Sequence, residues 1–323
     1  MDRRLIGFRG FFTAKAQGRQ GAPELSATLR LRALLVKASA LLCVLLFSAV
    51  NLFSQKKDHR LEQKILPLLQ GYQGDIGIYI KNLRTGKTVS YQADTIFPTA
   101  SIVKIPIMIG ILDKMEKKEL DYHQEFIYHD SMLYAGVDIL GSFKSGEKIE
   151  LSKLLMLMLT TSDNTASLWL QAIAGTGTRI NEIMDSLGFQ HTRVNSRTPG
   201  REENRNQYGW GQTTPREIAT MIERIYRMNI VSKGFCERAL RLLGRNYWDA
   251  EALSQIPPTV EVFSKNGAVN ASRSEVFLVN APRNPYLVAI FTKNNKDQSW
   301  NQDNEAWKLT KEISKLLWAY FSK

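Results

Sequence analysis

Between Phe97 and Lys114 the chain reads Phe-Pro-Thr-Ala-Ser101-Ile-Val-Lys104-Ile-Pro106-Ile-Met-Ile-Gly-Ile-Leu-Asp-Lys114, a polar entry followed by a strongly apolar helix. Ser101 and Lys104 are three residues apart, so a helix sets both side chains on one face, one turn from each other. Burial disfavours an ammonium, so a lysine packed beside a serine and near a second cation is driven toward its neutral form. A neutral amine can take the serine proton and activate the hydroxyl as a nucleophile. The pair also occurs as Ser54/Lys57 and Ser145/Lys148. Ser54 follows an apolar N-terminal run and Ser145 lies in a polar loop, so Ser101 alone opens a strong helix. Backbone N–H groups at a helix start favour an oxyanion beside that serine. Pro106 removes one helical donor, but close enough to the start to be tolerated.

Working outward, residues 151–160 (LSKLLMLMLT) are apolar nearly all round and read as a buried helix. Ser162-Asp163-Asn164 follows it; these residue types are also the preferred helix N-caps, so capping and chemistry are both open here. Residues 75–81 and 88–92 alternate as a hairpin, and residues 259–264, 274–280 and 286–292 read as strands. Lys265-Asn266-Gly267-Ala268 ends the first of those three strands, as a strand-ending turn or as a binding element. Residues 304–321 form a final amphipathic helix. The expected fold class is α/β plus all-α: an antiparallel sheet flanked by N- and C-terminal helices, with a helical domain inserted. The sheet part covers 57–95 and 244–323 and the helical part 96–243.

In order and spacing, Ser101/Lys104, Ser162-Asp163-Asn164 and Lys265-Asn266-Gly267 resemble the three-motif set of class A serine β-lactamases and penicillin-binding proteins. The resemblance covers residues 60–323, and Thr213-Thr214-Pro215 supports it. It implies Ser101 as the acylated nucleophile, Lys104 as its proton partner and Ser162 as the donor to the leaving nitrogen. It implies that Asn164 holds the substrate amide. Lys265, with Arg273, is implied to attract a substrate carboxylate. Gly267 allows close approach of the substrate, and the N–H of Ala268 joins that of Ser101 in the oxyanion hole. Asn266 departs from the usual Ser or Thr. A deacylating base is expected ahead of Thr213, where Glu202 with Asn206 fits and Glu203 rivals it, in a run expected to be structureless from 194 to 212. The implied activity is β-lactam hydrolysis without metal or organic cofactor, by a monomer acting on a small-molecule substrate. A D-alanyl-D-alanine carboxypeptidase or a catalytically silent wall-binding domain are the alternatives.

The 323 residues carry a net charge of +12, and residues 1–54 hold eight Lys/Arg against two Asp/Glu, half of that excess. Beyond residue 54 no run of five like charges appears, which argues against nucleic-acid binding. Arg30, Arg32 and Lys37 precede an uncharged stretch over residues 38–55, the pattern of a signal peptide or, if uncleaved, a membrane anchor. A periplasmic or secreted catalytic domain over 55–323 is the expectation. Cleavage would leave Cys236 as the sole cysteine and exclude an intrachain disulfide.

Overall fold

Residues 56–134, 136 and 139–323 are described in the computed structural model, so the export segment expected within residues 1–54 lies outside the described residues. Helix α1 (His59–Ile65) starts where Asp58 accepts a hydrogen bond from the Leu61 N–H at 3.1 Å. Strands β1 (Asp75–Asn82) and β2 (Thr88–Tyr91) form the expected hairpin, and β3 (Phe97–Pro98) leads to the Ser101 segment. Helix α2 (Lys104–Glu116) is preceded by a 3-10 turn, Ala100–Val103, that carries Ser101. Pro106 is the third residue of α2, in its first turn, where the loss of one N–H is tolerated far better than in the helix interior.

The middle of the chain is mostly helical. A short pair, β4 (Glu125–Ile127) and β5 (Lys148–Glu150), leads to α3 (Leu151–Met156). The expected buried helix continues as a π-helical turn, Leu157–Thr161, and stops at Ser162 in the left-handed region, φ +65°. Helices α4 (Asn164–Ile173) and α5 (Thr176–Ser186) follow, then β6 (Arg193–Val194). The run expected to be structureless is ordered instead: it holds α6 (Glu202–Tyr208) and β7 (Gly211–Thr213). Inside it, Arg201 donates to Asn195 Oδ1 at 2.9 Å and to Gln212 Oε1 at 2.8 Å, tying both ends of the loop together. Helices α7 (Pro215–Tyr226) and α8 (Lys233–Leu243) complete this region.

The C-terminal part supplies β8 (Val262–Val269), β9 (Ser272–Val279), β10 (Tyr286–Lys293) and α9 (Glu305–Phe321). The five long strands make one antiparallel sheet in the order β2-β1-β10-β9-β8, so both ends of the described chain build it. Helices cover both faces, so β9 and β10 are buried along almost their whole length, and β10 reads as an almost unbroken apolar run. One face packs Val276, Leu278, Leu287 and Ala289 against Ile107, Met108 and Leu154 from the helical region. The other packs Ile78, Val288 and Phe277 against Leu61 of α1 and Leu309, Ile313 and Leu317 of α9. Strand β8 runs further than its apolar residues indicate. Asn266, Gly267 and Ala268 pair with Glu275, Ser274 and Arg273, and the ladder overrides their weak strand preference.

Candidate active site

Ser101 sits one residue after Ala100, whose φ of +44° is strained for a residue with a side chain. Lys104 is wholly buried, and its Nζ lies 2.9 Å from Ser101 Oγ and 2.9 Å from Ser162 Oγ. Two further oxygens surround it, Ser162 O at 2.6 Å and Asn164 Oδ1 at 3.0 Å. An ammonium has three hydrogens for these four oxygens, whereas a neutral amine accepts from one hydroxyl and donates to others. Burial, and then the nearby charge of Lys265, holds the Lys104 pKa well below the usual lysine range, with Asp163 opposing. The neutral amine is therefore favoured, and it is within reach of the Ser101 proton.

Ser162-Asp163-Asn164 divides its labour, so the capping and the chemical readings both apply. Asp163 caps α4 by accepting from Ala166 N at 2.8 Å. Its other oxygen accepts from the N–H groups of Ile139 and Leu140 at 2.7 and 2.8 Å. It thereby ties the segment beside the site to the helix that carries Asn164. The left-handed turn at Ser162 leaves its hydroxyl on Lys104.

Gly267 is where the sheet meets the nucleophile. A Cβ there would lie 2.5 Å from Thr99 O and 2.9 Å from Ser101 N, so only glycine permits this approach of β8. Ala268, next along, lines both cavities that reach Ser101. Lys265 is wholly buried and donates to Asn266 O at 2.8 Å and Asn266 Oδ1 at 3.1 Å. The residue that departs from the usual Ser or Thr thus serves as an acceptor for this lysine. Burial lowers the Lys265 pKa to about 7 against the opposing pull of Glu275.

Two expected residues are placed differently from the rest: Arg273 lines the Ser162-side cavity from the far face of the sheet, and Glu202 lies on the surface. Cross-strand pairing of Gly267 with Ser274 and of Ala268 with Arg273 puts Arg273 on the sheet face opposite Lys265. Its guanidinium donates to the carbonyls of Val269, Asn270, Ser272 and Ser299 and is covered by the indoles of Trp300 and Trp307 at 4.3 and 4.8 Å. Ser274, paired with Gly267, shares the face of Lys265; a period-two count from Lys265 gives Arg273 instead, because the two-residue turn at 270–271 shifts the parity. Glu202 is exposed and accepts from Gly200 N at 3.2 Å; Glu203 and Asn206 are exposed as well. The loop instead presents Gln207, Tyr208, Gly209 and Trp210 to a cavity of about 500 Å³ beside Ser101, with Tyr134 edge-on to Trp210 at 5.0 Å. A second cavity of about 600 Å³ takes in Ser162. Among the described residues lining the two, the carboxylates are Glu251 and Glu275, both on the Ser162 side. Sequence reading missed this pair because a glutamate within a strand, as Glu275 is, or in a turn, as Glu251 is, carries no local signal.

A buried lysine shared by two serines, with a glycine-permitted strand closing on the first, defines a lysine-activated serine hydrolase. The chain belongs to the β-lactamase enzyme family, whose model matches residues 60–321. It is similar to β-lactamase SME-1 of Serratia marcescens, 25% identical over 262 residues that cover 77% of this chain and 85% of that one. VEB-1 of Pseudomonas aeruginosa is 22% identical, covering 89% and 98%. In fold it matches PBP-A, a mutant of which was solved as an acyl-enzyme complex with penicillin G, with TM-score 0.73 and 21% identity over 83% of this chain and 98% of that one. The extended-spectrum β-lactamase TLA-1 gives TM-score 0.73 at 17% identity, covering 82% and 99%. The chain is thus a serine hydrolase of the class A β-lactamase type.

Proposed function

We propose that the protein is an exported enzyme that opens the β-lactam amide through an acyl-enzyme on Ser101. The observation that carries this reading is Lys104 Nζ held 2.9 Å from the hydroxyls of both Ser101 and Ser162 in a buried setting. Lys104 takes the Ser101 proton as Oγ attacks the carbonyl carbon, and Ser162 passes a proton to the leaving nitrogen. The N–H groups of Ser101 and Ala268 receive the oxyanion; a donor in such a position is typically worth about 3 kcal/mol. Lys265 attracts the substrate carboxylate, and Asn164 orients the amide.

Deacylation proceeds without Glu202, which points into solvent, so Lys104 is the base left beside the ester. That arrangement makes hydrolysis of the acyl-enzyme the slow step. Full-length protein mixed with a chromogenic cephalosporin is expected to give a burst equal to one enzyme equivalent, followed by slow continued turnover. Ser101→Ala should abolish both phases and the mass increase of the intact protein. A burst with no second phase would favour a penicillin-binding protein that stalls as the acyl-enzyme. Hydrolysis that survives Ser101→Ala would overturn the assignment.

A further inference from the structure

The cavity on the Ser162 side wraps over β8, the edge strand of the sheet, and reaches the face that α9 covers. Glu275 lines it from β9, opposite Asn266, and is 3% exposed. One of its oxygens accepts from Ala252 N at 3.2 Å, while Oε1 has no hydrogen-bond partner among the described residues. Ser274 Oγ and Arg273 Nε, from the two preceding residues of the same strand, are buried and unpartnered in the same sense. Glu251 enters from the segment that covers the strand edge and has Lys311 Nζ at 3.5 Å from its Oε2. Trp248, Trp300 and Trp307 supply indole surface to the same cavity.

A buried carboxyl with an unmet acceptor is costly unless something meets it. Burial pushes Glu275 up to about 8, with the charge of Glu251 adding to it and the Ala252 N–H and Lys265 opposing. Near neutrality the acid is therefore largely protonated, and a bound cation would draw it into its charged form. The one guanidinium of the lining is already held by four carbonyls and two indoles, so it does not meet this need. Two carboxyls and the indole of Trp248, the lining tryptophan not stacked on Arg273, select a cation, since an ammonium gains from the acceptors and from the indole quadrupole together. Because Ser162 lines this cavity and serves the leaving nitrogen, its occupant is the leaving-group side of the substrate.

We infer that the cavity is a subsite for a positively charged substituent on the leaving-group side of the substrate, a quaternary or primary ammonium recognised by Glu275 and Glu251. The inference rests on the reading of Ser101 as the nucleophile. Two cephalosporins with one acyl side chain, differing at C3 as a quaternary ammonium-methyl or an acetoxymethyl group, provide the test. With the full-length enzyme, kcat/KM should favour the cationic compound by about tenfold, the scale of one well-placed charge contact. Glu275→Gln, which keeps size and the Ala252 contact, and Glu251→Gln, which lies outside the sheet, should each bring the ratio toward one. Benzyltrimethylammonium quenching of tryptophan fluorescence is a second readout that needs no turnover, and its apparent Kd should rise in both variants. Absence of any β-lactam reaction with preserved, Glu275-dependent quenching would sink the nucleophile reading and leave the cation subsite standing. A ratio near one in the unaltered enzyme, a ratio unchanged in both variants, or equal quenching in all three proteins would overturn the subsite.

Discussion

Lys104 and Lys265 are both wholly buried, yet the proposed chemistry asks opposite charge states of them. Lys104 acts as a base when neutral, so acylation rises as pH climbs through its lowered pKa. Lys265 attracts a carboxylate when protonated, so that attraction fades as pH passes about 7. The expected pH profile of kcat/KM, which reports the free enzyme, is a bell with its alkaline limb near neutrality. Lys265→Arg keeps the cation at all accessible pH values and should move that limb upward; an unmoved limb would assign it to another group. Gly267→Ala probes the neighbouring contact. A methyl 2.5 Å from Thr99 O must push β8 away from Ser101. The acylation rate is expected to fall about 10²-fold or more by stopped-flow burst kinetics, because the donor at Ala268 leaves its place.

At the scale of elements, the loop that carries α6 separates what sequence reading reaches from what it does not. Glu202 and Asn206 four residues on present the expected pairing, but α6 is a short exposed helix and turns both outward. The residue that organises the loop is Arg201, whose partners Asn195 and Gln212 lie six and eleven residues away and give no periodic signal. Glu202→Gln is expected to leave burst and steady-state rates within about twofold. Arg201→Ala should lower stability by about 1–3 kcal/mol, the usual effect of losing hydrogen bonds to a charged group, seen as a reduced denaturation midpoint. If Glu202→Gln instead traps the acyl-enzyme, the loop closes over the bound substrate in a way this structure does not display. The Ser101, Ser162 and Lys265 motifs were legible because each places chemistry beside a helix start or a strand. Arg273 lies on the sheet face away from Lys265, because a strand alternates its faces, and it still lines a cavity that reaches Ser101.

For the whole molecule, the architecture was readable because periodicity distinguishes strands from helices over long stretches. The path of β8 through Lys265-Asn266-Gly267 was not, because Asn and Gly have weak strand preference and only the hairpin ladder with β9 holds them extended. The site joins contributions from separate regions: Ser101, Lys104, Ser162 and Asn164 come from the helical region, while Lys265 and Gly267 come from the sheet. Its geometry therefore depends on an element that touches none of the reacting groups. Helix α9 lies on the sheet face opposite the main helical packing and buries Leu309, Ile313, Leu317 and Phe321. At about 1.5–3 kcal/mol per fully buried side chain, four such residues contribute about 6–12 kcal/mol. That is comparable with the entire stability of a typical domain, about 5–15 kcal/mol. Ending the chain at Asn304 is accordingly expected to yield insoluble or unfolded protein with no penicillin labelling of Ser101. Leu317→Ala is the graded version: a cavity under the sheet should cost about 2–5 kcal/mol. Its thermal midpoint should drop while the labelling rate of the folded fraction stays close to that of the unaltered protein. A chain ending at Asn304 that stays folded and labels normally would show that the sheet holds Gly267 against Ser101 without help from its far face.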